Sequence, residues 1–283
     1  MGKRVSGERA GTFTTHSFTL SPLMKIAILG LGEAGSRFAN DLVGLGVDVV
    51  GYDPACKRAL SPAVKLASNN ADAARNADIV LSVNVSAVAE QVAAEVWPVL
   101  QPGQVYAEMN TASPDTKRQV EAIISPSGAL VVDVAIMAPV PPKGILTPFL
   151  VSGPGAILFA GQLQPLGLHI SVLSEVVGEA ATRKLLRSIV YKGIAAVVGE
   201  AVAAGRSFGL EPYIREQILS VVGGDDTLID RFLEGSRTHA IRRSHELEAV
   251  VAMLTARDIE PVMARATLTS LENLIDRNES QAT

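Results

Sequence analysis

Apolar and polar positions along this chain switch repeatedly between two periods. Residues 26–29 form an unbroken apolar run, the mark of a strand buried on both faces. From Phe38 the period turns helical, with Phe38, Ala39, Leu42, Val43 and Leu45 recurring at helical spacing until Gly44 and Gly46 stop the helix. Residues 47–50 read as a second strand. Further strands are predicted at 79–83, 105–109 and 130–136, separated by helical segments at 87–97 and 114–124. Strands alternating with helices at this spacing predict a parallel sheet with helices on both faces, whose sites lie beyond the carboxyl ends of the strands. Pro139, Pro141 and Pro142 predict a stiff loop, and 150–154 and 169–173 short strands that extend the sheet. His169, flanked by apolar residues, reads as structural.

From Gly178 the pattern is helical to the end. Residues 179–208 predict one long helix, apolar on most faces, which must be covered on several sides. Helices at 212–222, 226–234, 237–256 and 260–278 follow, with Asp225 or Asp226 as a cap. The fold class is thus α/β: a Rossmann-type doubly wound parallel sheet over 24–177, then an all-α domain over 178–283 for substrate binding and dimerisation. The apolar long helix leads to the expectation of a homodimer through these C-terminal helices. Residues 1–23 are polar and rich in Ser and Thr, contain no apolar secretory core, and read as a disordered extension before Met24. No apolar run reaches membrane-spanning length by this reading, since Lys192 and Glu200 interrupt 189–204.

The first strand, helix and second strand enclose the candidate chemistry. Between them stands Gly30-Leu31-Gly32-Glu33-Ala34-Gly35, and Asp53 ends the second strand. Gly30 permits a tight turn, Gly32 lets the backbone approach a pyrophosphate, and Gly35 lets the helix pack closely on the strand. The helix N-terminus then faces the phosphates, and Asp53 accepts hydrogen bonds from the adenosine ribose. An acid at this position repels a 2′-phosphate and favours NAD, while Lys57 or Arg58 could neutralise one and admit NADP. Asn84, Val85 and Asn110 follow later strands at the same rim and complete the expected cofactor set, with Thr111, Met137 and Ala138 beside them for substrate.

Composition narrows the classes. The 283 residues allow two domains; 48% are hydrophobic and 19% charged, which fits a globular protein. A formal charge of −4 speaks against nucleic acid as a partner. Cys56 is the only cysteine, so no intrachain disulfide can form and a reducing cytoplasmic setting is expected. Hydrolase elbows and paired zinc-ligand motifs are absent, and His239, His245 and Glu246 are not spaced for a metal.

These motifs resemble the β-hydroxyacid dehydrogenase family, which includes 3-hydroxyisobutyrate and 6-phosphogluconate dehydrogenases. The family opens GLGxMGxxxAxNL, and this chain has GLGEAGSRFANDL over 30–42. The family's DxPVSGG loop corresponds to Asp133-Val134-Ala135-Ile136-Met137-Ala138-Pro139, with the glycine pair lost. Its catalytic lysine, six residues after a glycine, falls on Lys184 after Gly178; the asparagine four residues on is here Ser188. The C-terminal part looks like a divergent branch. The resemblance implies hydride transfer between a nicotinamide and a small 3-hydroxy acid or related anion, with Lys184 as general acid and base and Ser188 beside it. At helical spacing Lys184, Arg187, Ser188 and Tyr191 share a face, so Arg187 and Tyr191 join the expected substrate contacts. His245 falls near the family's carboxylate-binding lysine by loose alignment and is a further candidate, whereas Arg237, Arg242 and Arg243 read as solvated. An imine reductase on the same scaffold and a non-catalytic dinucleotide sensor are the alternatives.

Overall fold

Buried apolar runs and amphipathic helices alternate through the first half of the computed structural model, which describes residues 24–282. The extension expected over 1–23 lies outside the described residues. In chain order the first elements are β1 (Lys25–Leu29), α1 (Glu33–Gly44), β2 (Asp48–Tyr52), β3 (Lys65–Leu66), α2 (Asn70–Ala74), β4 (Ile79–Ser82), α3 (Ala89–Val96), β5 (Val105–Glu108), α4 (Pro114–Ile124) and β6 (Leu130–Ile136). They are followed by β7 (Phe149–Ser152), α5 (Ala156–Leu163) and β8 (Ile170–Ser174). The strands make one sheet in the order β3-β2-β1-β4-β5-β6-β7-β8. The order reverses direction beside β1, and the crevice there lies over the glycine turn.

Two departures from the sequence expectation concern this sheet. Strand β7 runs antiparallel to β6, pairing Asp133 with Ser152 and Ile136 with Phe149, so the sheet is mostly and not wholly parallel. The cause is local: the proline-rich loop returns the chain by a single short helical turn at Gly144–Leu146, without the long crossover a parallel neighbour needs. The two-residue edge strand β3, exposed at both positions, has no apolar run to announce it. His169 is exposed and serves through its carbonyl, which accepts the Phe149 amide at 2.8 Å.

Apolar side chains cover both faces of the sheet. On one, Phe38 of α1 meets Phe149 of β7 edge to face at 5.8 Å between ring centres. Each is essentially solvent-free, which contributes about 1.5–3 kcal/mol per side chain before ordering costs. On the other, Ala93 and Val96 of α3 and Val120 of α4 pack over Val80 and Tyr106.

The helical half consists of α6 (Glu179–Ser207), α7 (Glu211–Val222), α8 (Asp226–Thr238), α9 (Ala240–Thr255) and α10 (Val262–Ala282). Asp225 caps α8 by accepting the Thr227 amide at 3.1 Å. By length and composition alone α6 could cross a membrane, which corrects the expectation that no segment reaches that length. Here it is a packing spine. Leu185 meets Leu247 and Val250 of α9, Val198 and Val202 meet Ile229 and Phe232 of α8, and Ala180 and Ala181 are held against β7 and β6.

Candidate active site

The glycine turn between β1 and α1 answers to three separate constraints. Gly30 has φ +100°, and a Cβ there would stand 2.7 Å from the Val83 carbonyl oxygen. A Cβ on Gly35 would stand 1.9 Å from the Gly30 oxygen, so only glycine lets α1 begin this close to β1. Over Gly32 there is nothing within 4 Å. The open ground therefore lies above Gly32, where Glu33 and Ala34 begin α1 and no side chain caps the helix. Free amides facing an open approach suit a pyrophosphate. Leu31 is buried beneath, its amide donating to Asp53 Oδ2 at 2.7 Å, while Asp53 Oδ1 accepts the Ala55 amide at 2.7 Å. Asp53 is thus fastened across the turn at the end of β2. Lys57 and Arg58 are exposed beyond it.

The neighbouring strand ends are cross-linked. Asn84, after β4, donates to Ser82 Oγ at 3.1 Å and accepts from Asn110 Nδ2 at 2.8 Å; Val85 is exposed beside it. Asn110, after β5, also donates its backbone amide to Glu108 Oε1 at 3.1 Å, and its side-chain amide bonds the same oxygen.

Lys117 of α4 lies under this rim with 1% of its side chain exposed. Its ammonium pairs with Glu108 Oε2, reaches Asp133 Oδ1 at 3.1 Å, and donates to the Glu108 carbonyl at 2.8 Å. Burial disfavours the ammonium, but the two carboxylates outweigh it and hold the Lys117 pKa above its ordinary value. Burial pushes the Glu108 carboxyl up.

The start of α6 takes its caps from the sheet. Asp133 Oδ2 accepts the Gly178 and Ala181 amides at 3.2 and 2.9 Å, and Ser152 Oγ accepts the Ala180 amide at 3.1 Å. Gly178, at φ +97°, packs so closely on Pro114 and Arg118 that a Cβ would touch both within 3.2 Å. One turn on, the half-buried Lys184 points back at the rim and donates to Thr111 Oγ1 at 2.7 Å. Its pKa is lowered to about 8, first by desolvation, with Lys117, Arg242 and Lys192 adding to the fall and Glu246 opposing it.

Further along the same face, Ser188 Oγ approaches Glu246 Oε2 of α9 at 3.5 Å. Glu246 pairs there with the buried Lys192, while its Oε1 accepts from Arg242 at 2.8 Å. Burial raises the Glu246 pKa, yet Lys192, Lys184 and Arg242 together bring it below the ordinary carboxylate value. Arg187, exposed, donates to the Met137 carbonyl at 3.3 Å and lies 5.9 Å from the Tyr191 ring centre. Arg243 approaches the same ring at 5.7 Å. Met137 and Ala138 are half-buried at the foot of the proline loop.

The fold therefore joins Lys184 to Thr111, Asn110 to Asn84, Asp53 to Leu31, and Arg187 to both Met137 and Tyr191. His245 is exposed on α9, and the residue that turns inward to Ser188 is its neighbour Glu246. Arg243, expected to be solvated, is 7% exposed and donates to Ser236 Oγ at 2.8 Å, because it lies on the α9 face that carries Leu247 and Val250. Five ionisable side chains of the site were not among the candidates: Glu108, Lys117, Asp133, Lys192 and Glu246. A signal existed for some, since Asp133 interrupts an apolar run and Glu108 ends one, and a charge in a buried strand requires a partner.

Replacing Glu246 by alanine strands the Lys192 ammonium in a buried place. A loss of about 3–5 kcal/mol is expected, read as a lower midpoint in urea unfolding. A midpoint within error of the parent would mean that Lys192 reaches water.

Residues 25–140 match the family described as the NAD binding domain of 6-phosphogluconate dehydrogenase, and residues 206–274 match a domain of unknown function, DUF1932. Lys184 lies between the two matched stretches. An uncharacterized 28.5 kDa protein of Methanothermus fervidus is 28% identical over 249 residues, which cover 86% of this chain and 96% of that one. The solved structure of a conserved hypothetical protein from Sinorhizobium meliloti 1021 is 29% identical with a TM-score of 0.71, over 92% of this chain and 91% of that one. The 3-hydroxyisobutyrate dehydrogenase of Mycobacterium tuberculosis shares the fold at a TM-score of 0.74 and 19% identity, over 89% and 93% of the two chains.

Proposed function

The chain is a member of the β-hydroxyacid dehydrogenase-like family, and from that premise we propose that it is an NAD(P)-dependent oxidoreductase acting on a small anionic 3-hydroxy acid or its carbonyl counterpart. The observation that carries this reading is Lys184: a lysine tied to Thr111 at the cofactor rim, with a pKa of about 8. A group poised near neutral pH can both give and take a proton. When bound, the nicotinamide exchanges hydride with the substrate carbon. Protonated Lys184 donates to the substrate oxygen during reduction, and neutral Lys184 accepts the hydroxyl proton during oxidation. Arg187 and Arg242, both exposed at this end of the site, favour a negatively charged substrate. Arg187 and Tyr191 line its approach, and the Ser188 hydroxyl can bond the reacting oxygen. Asp53 at the ribose position favours NAD over NADP.

The test is titration with NAD and NADP, followed by an absorbance screen at the nicotinamide band over 3-hydroxy acids, sugar acids and cyclic imines. Binding with turnover of a hydroxy acid is expected. Turnover of imines alone would move the activity to C=N reduction on the same scaffold, and no binding of either nucleotide would sink the reading at its first step.

The same helix supports pairing with a second copy. Leu186, Val190 and Val197 of α6 lie on one stripe and are 47%, 61% and 59% exposed, an apolar strip that a partner helix would cover. Light scattering of the purified protein is expected to give twice the mass of the chain, and Val190→Asp to lower it. A single-chain mass for the parent protein at micromolar concentration rules the pairing out.

A further inference from the structure

Lys117, 1% exposed, is the one buried cation among the described residues of the sheet half, and the hydride chemistry proposed above gives it no task. Simple stabilisation is a poor reason for it to be there, since apolar groups of similar volume often serve as well as a buried ion pair. Its partners point to another role. Glu108 stands at the end of β5 and holds Asn110, which reaches Asn84 at the end of β4. Asp133 lies in β6 and holds the Gly178 and Ala181 amides of α6. The Lys117 ammonium bridges these two carboxylates. One cation therefore joins the strand ends of the cofactor rim to the first turn of the helix that carries Lys184. Asn110, Thr111, Lys117, Asp133 and Lys184 line a single narrow crevice, so the charges act on each other across protein and not across water.

We propose that Lys117 is the positioning residue of the site: through Asp133 it fixes the first turn of α6, and by its charge it acts directly on the Lys184 ammonium. It touches no reacting group. The charged groups that face Lys184 come from four elements: Lys117 from α4, Asp133 from β6 across the shared crevice, Glu246 and Arg242 from α9, and Lys192 from α6 itself. Lys117 is the one cation among them that also holds, through Asp133, the backbone on which Lys184 stands. The proposal rests on Lys184 as the proton carrier for its catalytic meaning, but not for its test.

The test reads Lys184 without turnover. The full-length protein is treated with acetic anhydride across pH 6–11, and acetylation of Lys184 is followed by peptide mass spectrometry against the exposed Lys57. In the parent protein the rate should rise through an inflection near pH 8. Lys117→Met removes a repelling cation, so the inflection should move up by about half a pH unit or more. Asp133→Asn keeps an oxygen for the α6 amides and removes a negative charge, so the inflection should move down. Lys117→Arg should stay with the parent. Opposite shifts support the proposal, because packing that merely loosens would admit water and move both variants up. Two upward shifts, or no shift in either, overturn it. Should Lys117→Met fail to fold, Asp133→Asn decides alone: a downward shift supports the proposal and an unmoved or raised inflection overturns it. If no substrate turns over, the acetylation profile still reads Lys117, so the two proposals fail separately.

Discussion

Lys184→Ala is expected to lower kcat by about 10²- to 10⁴-fold, the usual worth of a positioned proton donor or acceptor, while dinucleotide affinity stays within about twofold of the parent. The split follows from where the residue stands. Its side chain reaches Thr111 at 2.7 Å, one residue past the Asn110–Asn84 link, and no contact ties it to the glycine turn. The pH dependence carries the sign. Oxidation needs neutral Lys184, so its rate should rise with pH and level off above about 8; reduction needs the ammonium, so its rate should fall through the same region. Both limbs should vanish in Lys184→Ala. The measurement is kcat against pH in both directions for whichever substrate of the screen turns over, beside a fluorescence titration with the dinucleotide. Turnover that survives the substitution, with both limbs in place, would remove Lys184 from the chemistry.

Gly35→Ala should be the most damaging one-carbon change in the sheet half. The added Cβ would lie 1.9 Å from the Gly30 carbonyl oxygen, which is backbone and cannot swing aside. Relief requires α1 to move off β1, and Phe38, Ala39 and Leu42 leave the core with it. A loss of at least about 3 kcal/mol is expected, the upper end of overpacking costs, together with loss of dinucleotide binding. Gly32→Ala is the control with the opposite profile. Its Cβ meets nothing within 4 Å, and φ of −66° suits alanine, so stability should hold while affinity falls because the methyl occupies the ground the pyrophosphate would approach. Urea unfolding midpoints and a dinucleotide titration on both variants check the pair. Equal stability in Gly35→Ala would contradict the packing described for the turn.

The legible parts of this protein are those whose cause is local. An apolar run of four that ends at a glycine turn can hardly be anything but a buried strand, and the turn from 30 to 35 carries its geometry in its own residues. The long helix was legible for the same reason: Gly178 starts it, Gly209 follows it, and nothing between breaks it. The unreadable parts depend on residues far apart in the chain. The reversed strand β7 follows from a proline loop too short for a crossover. The inward turn of Glu246 in place of His245 is a rotation of one helical position, below the resolution of a loose alignment. The ion pairs of Lys117 join residues 108, 117 and 133 across two strands and a helix, and no window of sequence contains that geometry.

The capping of α6 bears on how separable the two halves are. Three of its earliest amides are satisfied by Asp133 and Ser152, side chains that belong to strands. A fragment ending before residue 178 would leave Asp133 without those donors, and a fragment starting there would expose amides with no acceptor of their own. Neither piece is a module with a clean cut face. The boundary drawn from the helical pattern at 177 and 178 marks a change of secondary structure, but energetically it runs through a shared cap, and the near end of the helical half should lose its order together with β6 and β7.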